Sequence, residues 1–93
     1  MNLTSSFKKR VLLISQQYGA EIPVEAICQR YFNCTVKTAN ERIKKNIFPV
    51  PAYRTTDSNS GDYYVNAEDL AALIERKSSE AKAEWEAANS KTH

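Results

Sequence analysis

Lys37, Thr38 and Glu41 are followed at once by Arg42, Lys44 and Lys45. A lysine ammonium can donate to guanine O6 and N7. A threonine hydroxyl bonds either way, and a glutamate can accept from a cytosine N4 amine. Arg42, Lys44 and Lys45 suit phosphate, which gives affinity and register but carries no sequence information. Further along, Arg54 precedes Thr55, Thr56, Ser58 and Asn59. A cation followed by small polar groups can lie along a phosphate backbone or enter a minor groove. Each group also has a plainer reading. Glu41 can pair with Lys37 or Lys45, four residues away on a helix. The basic run can be an ordinary solvated face, and 55–60 an ordinary solvated turn.

The elements that must position these groups follow from spacing. Thr35 can cap a helix that runs to about Lys45, with Val36, Ala39 and Ile43 inward. At 100° per residue, Lys37, Thr38, Glu41 and Lys45 then point away from the core, with Arg42 and Lys44 on the flanks. Asn40 falls nearer the buried edge. Pro23 opens an earlier helix as its first-turn residue, with Val24, Ile27, Cys28 and Tyr31 on one face. The short connection between the two is a helix-turn-helix arrangement. Ile47 and Phe48 are expected as core anchors. Pro49 and Pro51 end the helical structure. Val50 to Arg54 and Asp62 to Val65 read as two strands of a hairpin with a polar tip.

Outside this unit, Thr4, Ser5 and Ser6 offer caps for a first helix carrying Phe7, Val11, Ile14 and Tyr18. Leu12 and Leu13 widen its apolar face, which predicts a well-buried helix, and Gly19 suits its left-handed end. Asn66 caps a last helix anchored by Leu70, Leu73 and Ile74, and Ala81, Trp85 and Ala88 continue it at helical spacing. The expected fold is mainly α with a small β-hairpin wing: a winged helix-turn-helix with a C-terminal helical extension. One domain is expected over 1–88, with a disordered tail at 89–93.

Ninety-three residues with 26% charged and 42% hydrophobic side chains suit one small globular domain. The net charge is only +2. Residues 1–66 carry nine basic and five acidic side chains, whereas 67–93 carry four and six. The positive part is where a polyanion would bind. Cys28 and Cys34 read as reduced thiols, the only histidine is the terminal His93, and no CxxC pair is present, so no metal and no cofactor is expected. No apolar run reaches the roughly 18 residues of a membrane span, so a cytoplasmic chain without a membrane role is expected. Two glycines and no Cys/His pair leave no basis for an enzyme. The five tyrosines sit at core-like positions, favouring packing over base stacking. Trp85, with Ala81 and Ala88, either forms a self-association surface or folds back onto the first helix.

Two resemblances rest on particular segments. Thr35-Val36 opening a helix, then Asn46-Ile47-Phe48-Pro49-Val50-Pro51-Ala52-Tyr53-Arg54, then Tyr63-Tyr64-Val65-Asn66-Ala67-Glu68-Asp69-Leu70, is similar to the excisionase-like, MerR-type winged-helix domains. Those carry a G-x-L-P-A-x-R segment, a wing, and a strand entering a D-L helix; here Asn46 replaces the usual Gly and the wing tip is long. Leu12-Leu13-Ile14-Ser15-Gln16-Gln17-Tyr18 and Ile22-Pro23-Val24-Glu25-Ala26-Ile27-Cys28-Gln29-Arg30-Tyr31-Phe32 resemble the pyocin activator family, PrtN. Departures are the Gln16-Gln17 pair, Arg30 where Asp is common, and the extended basic N-terminus. The resemblance implies a small transcription activator of phage or prophage origin, or a relative acting as excisionase or repressor.

Three functions stay open at this point. The first is a sequence-specific regulator on double-stranded DNA, acting as a homo-dimer or higher oligomer, with RNA polymerase or phage proteins as further partners. The second is an excisionase-like architectural protein that bends and coats DNA. The third is a helical adaptor that binds a protein through the Trp85 face.

Overall fold

The computed structural model describes residues 2–57 and 61–90, with side chains from Ser5 onward. The elements, in order, are α1 (Asn2–Tyr18), β1 (Glu21–Pro23), α2 (Val24–Phe32), α3 (Val36–Lys44), β2 (Tyr64–Asn66) and α4 (Ala67–Asn89). Four helices and one short antiparallel strand pair are consistent with a winged helical fold.

The strand pair ties the two halves of the chain together. Ile22 faces Val65, flanked by Glu21 with Asn66 and Pro23 with Tyr64. The ladder continues into both following helices. Val24 N–H donates to the Tyr63 carbonyl at 3.0 Å, and Ala67 N–H donates to the Ala20 carbonyl at 2.9 Å. Each bond satisfies a donor that the start of a helix leaves without an intrahelical partner. Ile22, Val24, Ile27, Val65 and Leu70 are fully buried around this junction, joined by Ile14 from α1 and Ala39 from α3. Those five large side chains set the core, each contributing on the order of 2 kcal/mol by burial.

Helix ends follow the local sequence. Gly19, at φ +92°, closes α1 in the left-handed region as expected. Asn33, at φ 52°, closes α2, and its N–H returns to the Gln29 carbonyl. Thr35 caps α3, its Oγ1 accepting from the Thr38 N–H at 3.2 Å. Asn46 adopts φ 60°, and Ile47 N–H bonds the Arg42 carbonyl at 3.0 Å. This six-to-one bond marks a Schellman-type stop, with Asn46 in the left-handed place that most often takes Gly.

Several expectations need correction. α1 begins at Asn2, ahead of the serine and threonine caps anticipated for it. Leu12 and Leu13 are exposed, at 57% and 54%, because α1 packs on one face only, against α4 and β1. Pro23 is extended and precedes α2, so it ends β1 rather than filling the helix's first turn. Val36 is 40% exposed and Ile47 64% exposed, so neither anchors the core. Phe48 takes that part, its ring 4.6 Å from Phe32. The anticipated hairpin contracts to one bridge, Tyr53 with Tyr64, whose backbones exchange bonds of 3.0 and 2.8 Å. β2 spends its other edge on β1. Asn66 precedes α4 but makes no side-chain cap, because its Oδ1 accepts from the Tyr53 hydroxyl instead.

α4 has 23 residues and outruns the domain. At 1.5 Å per residue it is about 34 Å long. Ala67, Leu70 and Ala71 are buried, and every described residue from Arg76 onward is exposed. Arg10 and Ser6 of α1 meet Glu75 near that point, at 3.3 and 3.5 Å.

Candidate nucleic-acid interface

The buried contact that sets the rotation of α3 is Ala39, which is fully inaccessible. A small side chain there lets α3 approach α2 closely. Asn40 and Ile43 flank it and are half-buried. The opposite face carries Lys37, Glu41, Arg42 and Lys44, all exposed, and Lys45 follows as the exposed C-terminal cap residue. Two ion pairs occur among the described residues, Arg10 with Glu75 and Lys77 with Glu80, and neither involves α3. The pairings of Glu41 with Lys37 or Lys45 are therefore not formed. Four cations project from α3 and its cap without an acidic partner.

Thr38 differs from its neighbours. It is half-buried, and its hydroxyl lies 3.1 Å from that of Thr35. The two threonines lock the first turn of α3. Among the three residues read as base-directed, Lys37 and Glu41 are open to solvent and Thr38 is partly committed to the cap.

Arg54 stands at the base of the loop 54–63 that the Tyr53–Tyr64 bridge closes. Its Nε donates to the Gly61 carbonyl at 2.8 Å, and its guanidinium carbon lies 4.2 Å from the Tyr63 ring centroid. The side chain thus spans the loop from one limb to the other. It keeps its charge at the loop base while holding the limbs together, a role the sequence did not disclose. Thr55 and Thr56 are exposed beyond it, while Ser58 and Asn59 lie outside the described residues. Ala81, Trp85 and Ala88 are exposed on the distal part of α4, so Trp85 is not packed back onto α1.

Two features escaped the sequence reading. Arg30, exposed on α2, donates from Nη1 to the Tyr18 hydroxyl at 3.2 Å and lies over the Tyr31 ring. Its pairing with α1 depends on a helix packing that no local pattern encodes. A groove of about 420 Å³ also runs along the C-terminal end of α3, lined by Ile43, Asn46, Phe48 and Val50 among others. The Asn46 stop and the two following prolines shape it. Among the described residues no group of three or more His, Cys, Asp or Glu side chains could hold a metal ion. Among the described residues no helix is long and apolar enough to cross a membrane.

Fold and site together give a small, mainly helical protein, consistent with a winged helical fold, that presents a basic helix beside an arginine-braced loop. The family described as Pyocin activator protein PrtN matches residues 11–81, most of the chain. The chain belongs to that family. No match was found among curated proteins or among solved structures.

Proposed function

We propose that this chain is a sequence-specific, double-stranded DNA-binding activator of transcription of the phage type. In this reading its domain is a winged helix-turn-helix of the excisionase or MerR kind. α3 enters a major groove, and the loop 54–63 follows the neighbouring backbone or minor groove. The observation that carries the proposal is the outer face of α3, where Lys37, Arg42, Lys44 and Lys45 project with no acidic side chain paired to them. A cation left unpaired on a rigid helix is ready to replace counterions at phosphate.

Roles divide along the helix. The N-terminal part of a recognition helix meets base edges, which assigns reading to Lys37 and Glu41, with Thr38 contributing its methyl and hydroxyl at the rim. Arg42, Lys44 and Lys45, near the other end, grip phosphate. Arg54 shapes the wing, and the backbone contacts proposed for it are Thr55, Thr56, Ser58 and Asn59. Family membership supports the activator reading, with the transcription machinery as the second partner after DNA. Such a protein works in the cytoplasm and needs neither cofactor nor catalytic group.

The test is selection of preferred duplexes from a randomised pool by the intact chain and by Lys37→Ala. Wild type should enrich one motif. The variant should lose preference at one base pair, by about 1–3 kcal/mol, while keeping the rest. Enrichment of no motif by the wild type would overturn sequence-specific reading.

A further inference from the structure

The distal part of α4 poses a physical problem. Residues 76–89 form about four helical turns, all exposed. Isolated helices of that length are marginal in water, because stability usually comes from packing an apolar face. The largest side chain there, Trp85, is 65% exposed.

Ile74, Ser78, Ala81, Trp85 and Ala88 alternate spacings of four and three residues, so they share one seam of a heptad pattern. The seam starts inside the domain. Ile74 and Ser78, with Tyr31, Leu73 and Lys77, line an open groove of about 390 Å³ where α4 leaves the core. It ends on the protruding helix with Trp85.

We propose that α4 pairs antiparallel with α4 of a second copy of this chain, each Trp85 seating in the other's groove beside Tyr31 and Leu73. The register follows from the seam itself. With Ala81 set against Ala81 at the two-fold axis, Ala88 of each copy lies over Ile74 of the other, and Trp85 lies at the Lys77–Ser78 step, where the small Ser78 side chain leaves it room. The largest side chain thus meets one of the smallest, and every layer is self-complementary, as a two-fold interface requires.

Charge selects the orientation. Lys77 and Glu84 flank the seam on one side. In the antiparallel register Lys77 of each copy faces Glu84 of the other, giving two attractive pairs. In a parallel, in-register pair Lys77 would face Lys82 of the second copy. Flanking charges of this kind set partner orientation in helix pairs. Near the axis Lys82 meets its own counterpart, and Glu86 one turn away offsets that repulsion. The dimer does not depend on the DNA-binding reading, and a monomeric result would leave that reading intact.

Sedimentation equilibrium of the full chain over a wide concentration range, with emission of the single tryptophan followed in parallel, tests the proposal. A monomer–dimer equilibrium is expected, with Trp85 emission shifting to the blue as dimer forms. Lys77→Glu and Glu84→Lys should each raise the dimer dissociation constant about fivefold. The double variant should restore it. Trp85→Ala should raise it by about thirtyfold or more with unchanged circular dichroism of the monomer. A chain that stays monomeric overturns the proposal. So does a dimer that Trp85→Ala leaves intact, one tightened by Lys77→Glu, or one lost on Leu12→Ser with Leu13→Ser instead.

Discussion

The Tyr53 hydroxyl donates to Asn66 Oδ1 at 2.8 Å, joining the base of the loop 54–63 to the start of α4. The bond explains why Asn66 does not cap its own helix. Removing it with Tyr53→Phe should cost about 0.5–1.5 kcal/mol, the usual net worth of one hydrogen bond. The loss should fall toward the lower end, because the released Asn66 amide can swing to the free N–H groups of α4. Thermal or urea unfolding of the variant measures this. A loss above about 3 kcal/mol would mean the pair carries more than this bond.

The same hydroxyl sets a pH dependence. Desolvation, helped by the carboxylates of Glu21 and Asp69 and by Tyr64, raises the Tyr53 pKa above its ordinary value of 10.0. The folded state therefore favours the neutral phenol. Stability from this group is full below pH 10 and is lost as pH rises through the higher folded value. Urea midpoints should fall on going above pH 10, and less steeply in Tyr53→Phe. Equal slopes in the two proteins would contradict this origin.

Asn46 holds φ 60°, a left-handed position of the kind most often filled by Gly. Asparagine tolerates the left-handed region better than other side chains, but glycine enters it without steric cost. Asn46→Gly should leave stability unchanged or slightly raised, and Asn46→Ala should lower it by about 1 kcal/mol. The order of unfolding midpoints, Gly at or above Asn and Asn above Ala, checks the assignment.

Arg54 braces the loop 54–63 through Gly61 and Tyr63. Lysine keeps the charge but offers neither a planar cation for the ring nor the Nε donor. Arg54→Lys should therefore speed amide exchange at Tyr53 and Tyr64 while changing the salt dependence of DNA binding little. If exchange stays as in wild type, the brace is not holding the loop.

The parts legible in the sequence were those with long local periods. Val24, Ile27, Cys28 and Tyr31 announce α2, and Thr35 with Ala39 fixes both the start and the rotation of α3. What stayed hidden depended on distant partners. Glu21-Ile22-Pro23 is too short for alternation to show, and its partner strand lies some forty residues on. Without β1 in view, the return strand reads wholly as one limb of a hairpin. Leu12, Leu13 and Ile47 are apolar but exposed, since periodicity identifies apolar faces without saying whether anything covers them. At the candidate site, the exposed cations of α3 were legible from helical geometry. The double duty of Arg54 was not, because Gly61 and Tyr63 reach it only across the loop.

The role proposed for the cations of α3 is to hold duplex DNA. The most direct test is the affinity of the full chain for a mixed-sequence duplex at two salt concentrations, compared with a Lys44→Ala, Lys45→Ala double variant. Both cations are exposed and unpaired, so the fold should be unaffected. The predicted result is weaker binding to all sequences, with the slope of log affinity against log salt reduced by about two per bound protomer. Unchanged affinity and unchanged slope would contradict it.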